Sequence, residues 1–160
     1  MERLWAPWRL QYIVADRADG CIFCTFGGER EDRENLILRR GERAFVIMNA
    51  FPYSNGHLLV APYRHVSDLA QLDEEESLDI MRLTQASILA LGEAYSPDGI
   101  NTGINQGAAA GAGIVDHIHV HVVPRWEGDT NFMPIFADVK VIPEALEATY
   151  DKLKPIFDGL

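Results

Sequence analysis

Three histidines alternate with β-branched residues in the stretch Asp116-His117-Ile118-His119-Val120-His121-Val122-Val123-Pro124-Arg125. Alternation with period two is typical of a strand with one buried face, so the three imidazoles are predicted to share the opposite face. Imidazole titrates near neutral pH, and its unprotonated nitrogen is both a nucleophile and a metal ligand. Because three histidines in register are rarely structural residues, we interpret this stretch as an active site.

The composition is that of an ordinary globular domain, with 160 residues of which 48% are hydrophobic and 24% are charged. We therefore predict a single domain over residues 1–160, with an N-terminal extension at 1–20 and a C-terminal segment at 127–160. The formal net charge of −10 argues against a nucleic acid polymer as partner. No apolar run approaches the ~20 residues of a membrane span, and the first residues lack the order of a secretion signal. We expect a cytoplasmic protein without membrane contact.

The remaining pattern predicts an α+β fold with an antiparallel sheet. Besides the histidine strand, the alternation and turn residues favour strands at 35–39, Ala44–Met48, 57–61, 100–104 and 139–142. Asp73 and Glu76 resemble a capping box that begins a long helix over 74–94. Its inner face is predicted to carry Leu78, Met81, Ile88 and Leu91. A second helix is expected to begin near Pro143.

The loop at 105–113 lies between a predicted strand and the histidine strand, and it contains Gly107, Gly111 and Gly113. Small residues allow several backbone N–H groups to converge on an anion. The loop is therefore predicted to bind phosphate. The alternative is a flexible connection between two strands.

Two cysteines occur in the segment Cys21-Ile22-Phe23-Cys24. Without a secretory context a disulfide framework is not expected. The neighbouring glycines predict a turn here, whereas a thioredoxin-type redox pair would begin a helix. We interpret the segment as half of a metal site, and the alternative is a pair of small buried apolar residues.

The segment His117-Ile118-His119-Val120-His121-Val122-Val123 resembles the motif of the histidine triad family of nucleotide hydrolases and transferases. Further matches follow the family's order: the two cysteines, Asn49, the segment from Gly56 to Pro62, His65, and Asn105 with Gly107. The segments 122–126 and 4–9 are similar to the bacterial branch that contains diadenosine tetraphosphate phosphorylases. The resemblance implies a HIT-like fold, with a long central helix and a C-terminal helix beside the sheet.

The resemblance also implies a reaction and roles for residues. His119 would attack an α-phosphate of a dinucleoside polyphosphate or a related nucleotide, and water or phosphate would release the nucleotide from the histidine. His117 and His121 are the other predicted catalytic residues. The predicted substrate-binding residues are Asn49, which would hold the ribose, together with His57, Asn105, Gly107, Gly111, Gly113 and His121. A homodimer is expected, formed by the long helix and the sheet edge near 100–105.

Some bacterial members of the family bind structural zinc at positions that correspond to Cys21, Cys24, His65 and His117, so a zinc site is implied here. The covalent chemistry itself would need no metal. A metal held jointly by His117, His119 and His121 is disfavoured, because the end members of such a set lie ~13 Å apart on a strand.

The sequence departs from the family pattern in the segment Gly111-Ala112-Gly113-Ile114, where many members have a glutamine and a serine that contact phosphate. Backbone N–H groups of residues 111–113 are expected to replace them. Two alternative functions follow from the family, a purine nucleoside phosphoramidase and a non-catalytic nucleotide-binding protein.

Overall fold

The computed structural model describes residues 20–129 and 144–160. In these ranges, five strands form one antiparallel sheet in the order β1-β2-β3-β5-β4. The strands are β1 (Ile37–Arg40), β2 (Ala44–Met48), β3 (Leu58–Pro62), β4 (Gly99–Gly103) and β5 (Val120–Arg125), and the helices are α1 (Ile22–Gly28), α2 (Glu74–Tyr95) and α3 (Leu146–Gly159). The α+β fold class is confirmed.

Most of the predicted elements are present with bounds shifted by a few residues. The strand Ala44–Met48 and the start of the long helix are confirmed, and the capping box of Asp73 and Glu76 is formed in both directions. The strand predicted at 139–142 and almost all of the N-terminal extension lie outside the described residues. The helix predicted to begin near Pro143 is confirmed and begins at Leu146. No helix in the described ranges combines the length and hydropathy required to cross a bilayer.

The two faces of the sheet have different cores. Helices α2 and α3 cover one face, where Val46, Val60 and Val122 are fully buried against them. The other face is packed against α1 through a smaller cluster that contains Phe23, Phe45 and other residues. Because side chains alternate along β5, His121 lies on the smaller face, where it is in register with Leu59 of β3.

The histidine strand is shorter than predicted. Strand β5 begins at Val120, so His117 and His119 lie in the extended segment that precedes it. Val60 is the last β3 residue that pairs with β5. Upstream of that pair, the backbone N–H of Ile118 donates to the carbonyl of Val66 at 2.7 Å, outside the sheet. The alternation of histidine and apolar residues in the sequence therefore extends upstream of Val120, beyond the last residue of β5 that pairs with β3.

The buried face of α2 also differs from the prediction. Leu91 is buried, but Leu78, Met81 and Ile88 are 51%, 58% and 37% exposed. The buried face includes Thr84 and Ser87, whose hydroxyls donate to carbonyls four residues earlier in the helix at 2.8 Å. Burial of such a hydroxyl costs little because it is hydrogen-bonded. The positions of apolar residues alone therefore do not identify the buried face of α2, because polar residues take part in it.

Candidate active site and metal centre

His119 is held in one tautomer by the backbone. Its ring is 5% exposed, and its Nδ1 lies 2.9 Å from the carbonyl oxygen of His117. A carbonyl can only accept, so the neutral ring bears its proton on Nδ1 and has its lone pair on Nε2. Burial lowers the pKa of His119, although the bond to the carbonyl opposes this shift. At neutral pH the side chain is therefore an uncharged imidazole with a nucleophilic Nε2.

A chain of hydrogen bonds fixes the tautomer of His121. The backbone N–H of Tyr53 donates to Nδ1 of His57 at 3.0 Å, so the neutral His57 ring bears its proton on Nε2. That Nε2 lies 2.9 Å from Nδ1 of His121 and donates to it. His121 must therefore bear its own proton on Nε2.

The N–H at Nε2 of His121 is buried and has no hydrogen-bond partner among the described residues. A ligand that entered the site could accept from it. Burial, with a smaller contribution from the nearby His119, lowers the pKa of His121 to about 4. The two ring centroids are 4.9 Å apart. A neutral nucleophile and a neutral hydrogen-bond donor thus lie side by side, which suits an anionic substrate.

The side chain of His117 lies beside the cysteines and is engaged within the protein, so a direct catalytic role for it stays a prediction. Its ring is fully buried; Nε2 donates to the carbonyl of Pro62 at 2.8 Å, and Nδ1 faces the cysteines. The ring of Phe23 lies 5.1 Å from both His117 and His119. His117 contributes to the active site through its backbone carbonyl, which accepts from His119.

Four potential metal ligands converge at Nδ1 of His117. They are Cys21, Cys24, His65 and His117, and their ligand atoms all lie within 4.8 Å of one another. Nδ1 of His117 is 3.2 Å from Sγ of Cys21 and 3.6 Å from Sγ of Cys24. Nδ1 of His65 is 3.3 Å from Sγ of Cys24. Burial and the neighbouring Cys21 thiol raise the pKa of Cys24.

The cysteine segment is not the turn that its glycines predicted. Cys21 precedes the first residue of α1, and Cys24 lies in the first turn of this helix. Phe23, between them, is fully buried against the sheet and anchors the helix there. Helical geometry places residues i and i+3 on neighbouring surface positions, so both thiols face the same site.

Two residues predicted to bind substrate are already engaged within the protein. His57 is 1% exposed, and its Nε2 donates to Nδ1 of His121. This arrangement favours a role in positioning His121 over direct contact with the substrate. The side-chain oxygen of Asn49 accepts from the backbone N–H of Phe51 at 2.9 Å. Nδ2 of Asn49 lies 3.3 Å from Nδ1 of His57. A ribose contact by Asn49 stays a prediction.

The glycine loop forms a short turn of its own at Ala108–Ala110. Gly107 and Gly111 have φ values of 84° and 87°, a conformation that favours glycine. The backbone N–H groups of Gly111 and Ala112 donate to carbonyls within the loop. The backbone amides of residues 111–113 were expected to replace the glutamine and serine side chains of other family members. Two of these three amides are thus hydrogen-bonded within the loop in this conformation. The roles of Asn105 and Gly113 stay predictions.

Sequence reasoning missed Phe23 and Tyr53. The ring of Tyr53 lies 4.5 Å from that of His57 and 5.7 Å from that of His121. The prediction treated the segment around Tyr53 as a turn, and no local pattern relates it to a histidine far along the chain. Phe23 carried a weak signal, since it is an aromatic residue between two candidate metal ligands.

Comparisons with known proteins agree with this geometry. The family model described as HIT domain matches residues 29–128. The chain is 39% identical over 157 residues to an AP-4-A phosphorylase of Mycobacterium tuberculosis, covering 93% of this chain and 80% of that protein. It is 30% identical over 140 residues to a bis(5'-adenosyl)-triphosphatase of Dictyostelium discoideum, covering 84% and 93%. A zinc-bound histidine triad family protein from Mycobacterium smegmatis has a similar structure, with a TM-score of 0.69, 27% identity and coverage of 88% and 94%.

Proposed function

The chain belongs to the HIT domain family, and on that premise we propose that it is a nucleotide hydrolase or transferase that cleaves dinucleoside polyphosphates at an α-phosphate. The observation that carries the proposal is the bond from Nδ1 of His119 to the carbonyl of His117, which leaves Nε2 as the nucleophile. The similarity to an AP-4-A phosphorylase over most of both chains supports this substrate class.

The first step forms a bond between Nε2 of His119 and the α-phosphorus and breaks the bond to the leaving phosphate oxygen. A neutral imidazole approaches an anionic phosphorus without the repulsion that a carboxylate would meet. The histidine becomes a cation as the bond forms, and the carbonyl of His117 stabilises the Nδ1–H. Water or inorganic phosphate then displaces the nucleotide from His119.

Electrophilic assistance comes from His121 and from the loop at 105–113. The Nε2–H of His121 donates to an oxygen of the reacting phosphate, where negative charge increases in the transition state. Asn49 and the loop amides bind the ribose and the remaining phosphates after exchanging their present internal partners. His57 fixes the proton of His121 and does not touch substrate.

A panel of substrates tests this function. We expect the protein to cleave diadenosine tetraphosphate to AMP and ATP in water, and to give ADP and ATP if phosphate is the acceptor, as ³¹P NMR of the products would show. Rapid acid-free quenching should trap a nucleotidyl-enzyme in single-turnover experiments. Cleavage of nucleoside phosphoramidates alone would identify a phosphoramidase. Nucleotide binding without any turnover would identify a non-catalytic protein.

We further propose that Cys21, Cys24, His65 and His117 bind a structural zinc ion. Two thiolates and two imidazoles are a common closed set for zinc, and bonds of 2.3 and 2.0–2.1 Å in a tetrahedron imply sulfur–nitrogen separations of about 3.5 Å. The observed separations of 3.2, 3.3 and 3.6 Å support this fit. The bond from His117 to Pro62 would orient the ring as a ligand. Zinc would stabilise the fold here and take no part in the reaction.

A homodimer through α2 and β4 is proposed from the exposed residues. Leu78, Met81 and Ile88 lie near one another on the outer face of α2, and Leu89 beside them is 62% exposed. Strand β4 is the edge of the sheet, and most of its residues are exposed. An exposed apolar helix face and an open sheet edge are each suited to pairing with a second copy.

Sedimentation equilibrium should give twice the chain mass of 17.9 kDa at micromolar concentration. Met81→Glu is expected to give the monomer mass, because the substitution places two charges on a buried apolar surface of the dimer. Leu160→Glu is the matched control, since Leu160 is also exposed but follows Phe157, which contacts Arg39 at the opposite edge. A wild-type mass of one chain would refute the dimer.

A further inference from the structure

Tyr53 contacts His57 and His121, the two histidines that support the proposed reaction. It lies in the loop between β2 and β3, and its ring plane is inclined by 14° to that of His121 and by 43° to that of His57. The side chain is nevertheless 51% exposed. An aromatic ring that remains half-exposed beside the buried His57 and the half-buried His121 needs an explanation other than core packing.

The backbone and the side chain of Tyr53 act on the same pair of rings. Its N–H donates to Nδ1 of His57, which directs the proton of His57 towards His121. Its ring is nearly parallel to the ring of His121, with 5.7 Å between centroids. Offset stacking at such a distance is a favourable arrangement of aromatic rings. One residue thus contacts His121 directly and through His57.

We propose that Tyr53 is a positioning residue for His121: its backbone N–H selects the nitrogen of His121 that bears the proton, and its ring sets the plane in which that N–H points. The proposal rests on the proposed function, because the reaction gives the direction of this N–H its importance. Tyr53 itself need not touch the substrate.

The surroundings of His121 show why a stacked ring is needed. The imidazole receives one hydrogen bond, at Nδ1, and a single bond leaves the ring free to tilt about it. His119 lies against it edge-on at 61°. The paired residues on the adjacent strands are Leu59 on β3 and Gly103 on β4. Gly103 has no side chain, so β4 offers His121 no packing partner at this position, and the ring that stacks on His121 is that of Tyr53 in the loop between β2 and β3.

The ring of Tyr53 also covers part of one face of His121. Burial is the main cause of the lowered pKa of His121, and the titratable groups that face it are His119, His57 and Tyr53. Removing the aromatic ring should admit water and raise this pKa from about 4 towards the ordinary value of about 6.5. The tautomer should persist, because any residue except proline retains the backbone N–H.

Long-range ¹H–¹⁵N NMR of the full chain without substrate separates these effects. Tyr53→Ala should keep the proton of His121 on Nε2 but shift its titration upwards by at least one pH unit. Tyr53→Phe retains the ring and should titrate like the wild type. His121→Gln assigns the signals. A Tyr53→Ala protein that is folded by its amide spectrum and titrates like the wild type would overturn the proposal.

Kinetics give a second, independent result. Tyr53→Ala should lower kcat by about 10- to 100-fold, as expected for a misaligned catalytic group, while KM stays within about twofold. Tyr53→Phe should restore kcat. A raised KM with unchanged kcat would show that Tyr53 binds substrate and would overturn the positioning role. If no substrate in the panel were cleaved, the proposed function would fail, and the NMR titration would still decide the role of Tyr53.

Discussion

His119→Ala is expected to abolish the nucleotidyl-enzyme and to lower single-turnover cleavage by about 10⁴-fold or more, a loss typical of a removed covalent nucleophile. The substitution removes the only atom proposed to attack the phosphorus. It leaves in place the carbonyl of His117 and the Nε2–H of His121, which remain able to contact the phosphate. Calorimetry should therefore find the affinity for AMP reduced by less than about tenfold.

The matched control for this variant is His121→Ala, which removes an imidazole of the same size from the adjacent position. It retains the nucleophile, so the intermediate should still be trapped, but more slowly, by about 10²- to 10³-fold. A larger loss of cleavage in His119→Ala than in His121→Ala, with the intermediate trapped only in the second variant, identifies His119 as the nucleophile. Wild-type single-turnover rates in His119→Ala, or a trapped intermediate on another residue, would show that the assignment of His119 is wrong.

The sequence predicted much of the fold because the relevant signals are local. The capping box of Asp73 and Glu76 and the C-cap at Ser96 delimit α2 within a few residues of the predicted bounds. The strand Ala44–Met48 consists of β-branched and apolar residues, and both of its ends were predicted. In each case the residues that determine the element lie within it or next to it.

The errors arose where distant contacts decide the structure. Alternation predicted that His117 and His119 lie in the strand of His121, but the ladder between β3 and β5 ends at Val60, and the ring of His117 instead donates to the carbonyl of Pro62. Neither feature can be predicted from the residues around the three histidines. The fixed proton on Nε2 of His121 depends on a backbone N–H of Tyr53, which no side-chain pattern could reveal.

His117 connects the candidate active site with the candidate metal centre. Its side chain offers Nδ1 to the cysteine cluster, while its carbonyl accepts the bond that sets the tautomer of His119. The two groups belong to one residue that is fully buried. A ligand at the cysteine cluster would therefore restrain the carbonyl that accepts from Nδ1 of His119, the proposed nucleophile.

Zinc is accordingly expected at close to one ion per chain in protein purified without a histidine tag, as measured by elemental analysis. When free zinc exceeds its dissociation constant by about 1,000-fold, binding stabilises the fold by about 4 kcal/mol. For a chain of this length, each kcal/mol shifts Tm by about 2–4 °C. Removal of zinc by a chelator should therefore lower Tm by about 8–16 °C, and added zinc should restore it.

The double variant Cys21→Ser/Cys24→Ser serves as the control, because it replaces both thiols with groups of similar size that bind zinc poorly. It should contain no zinc, and its Tm should not respond to the chelator. Its cleavage rate should also fall, since His117 and its carbonyl would be less restrained and the tautomer of His119 less strictly set. Less than about 0.2 zinc per chain in wild-type protein with both thiols reduced would refute the site. So would a wild-type Tm that the chelator leaves unchanged, because a structural metal contributes to the free energy of unfolding.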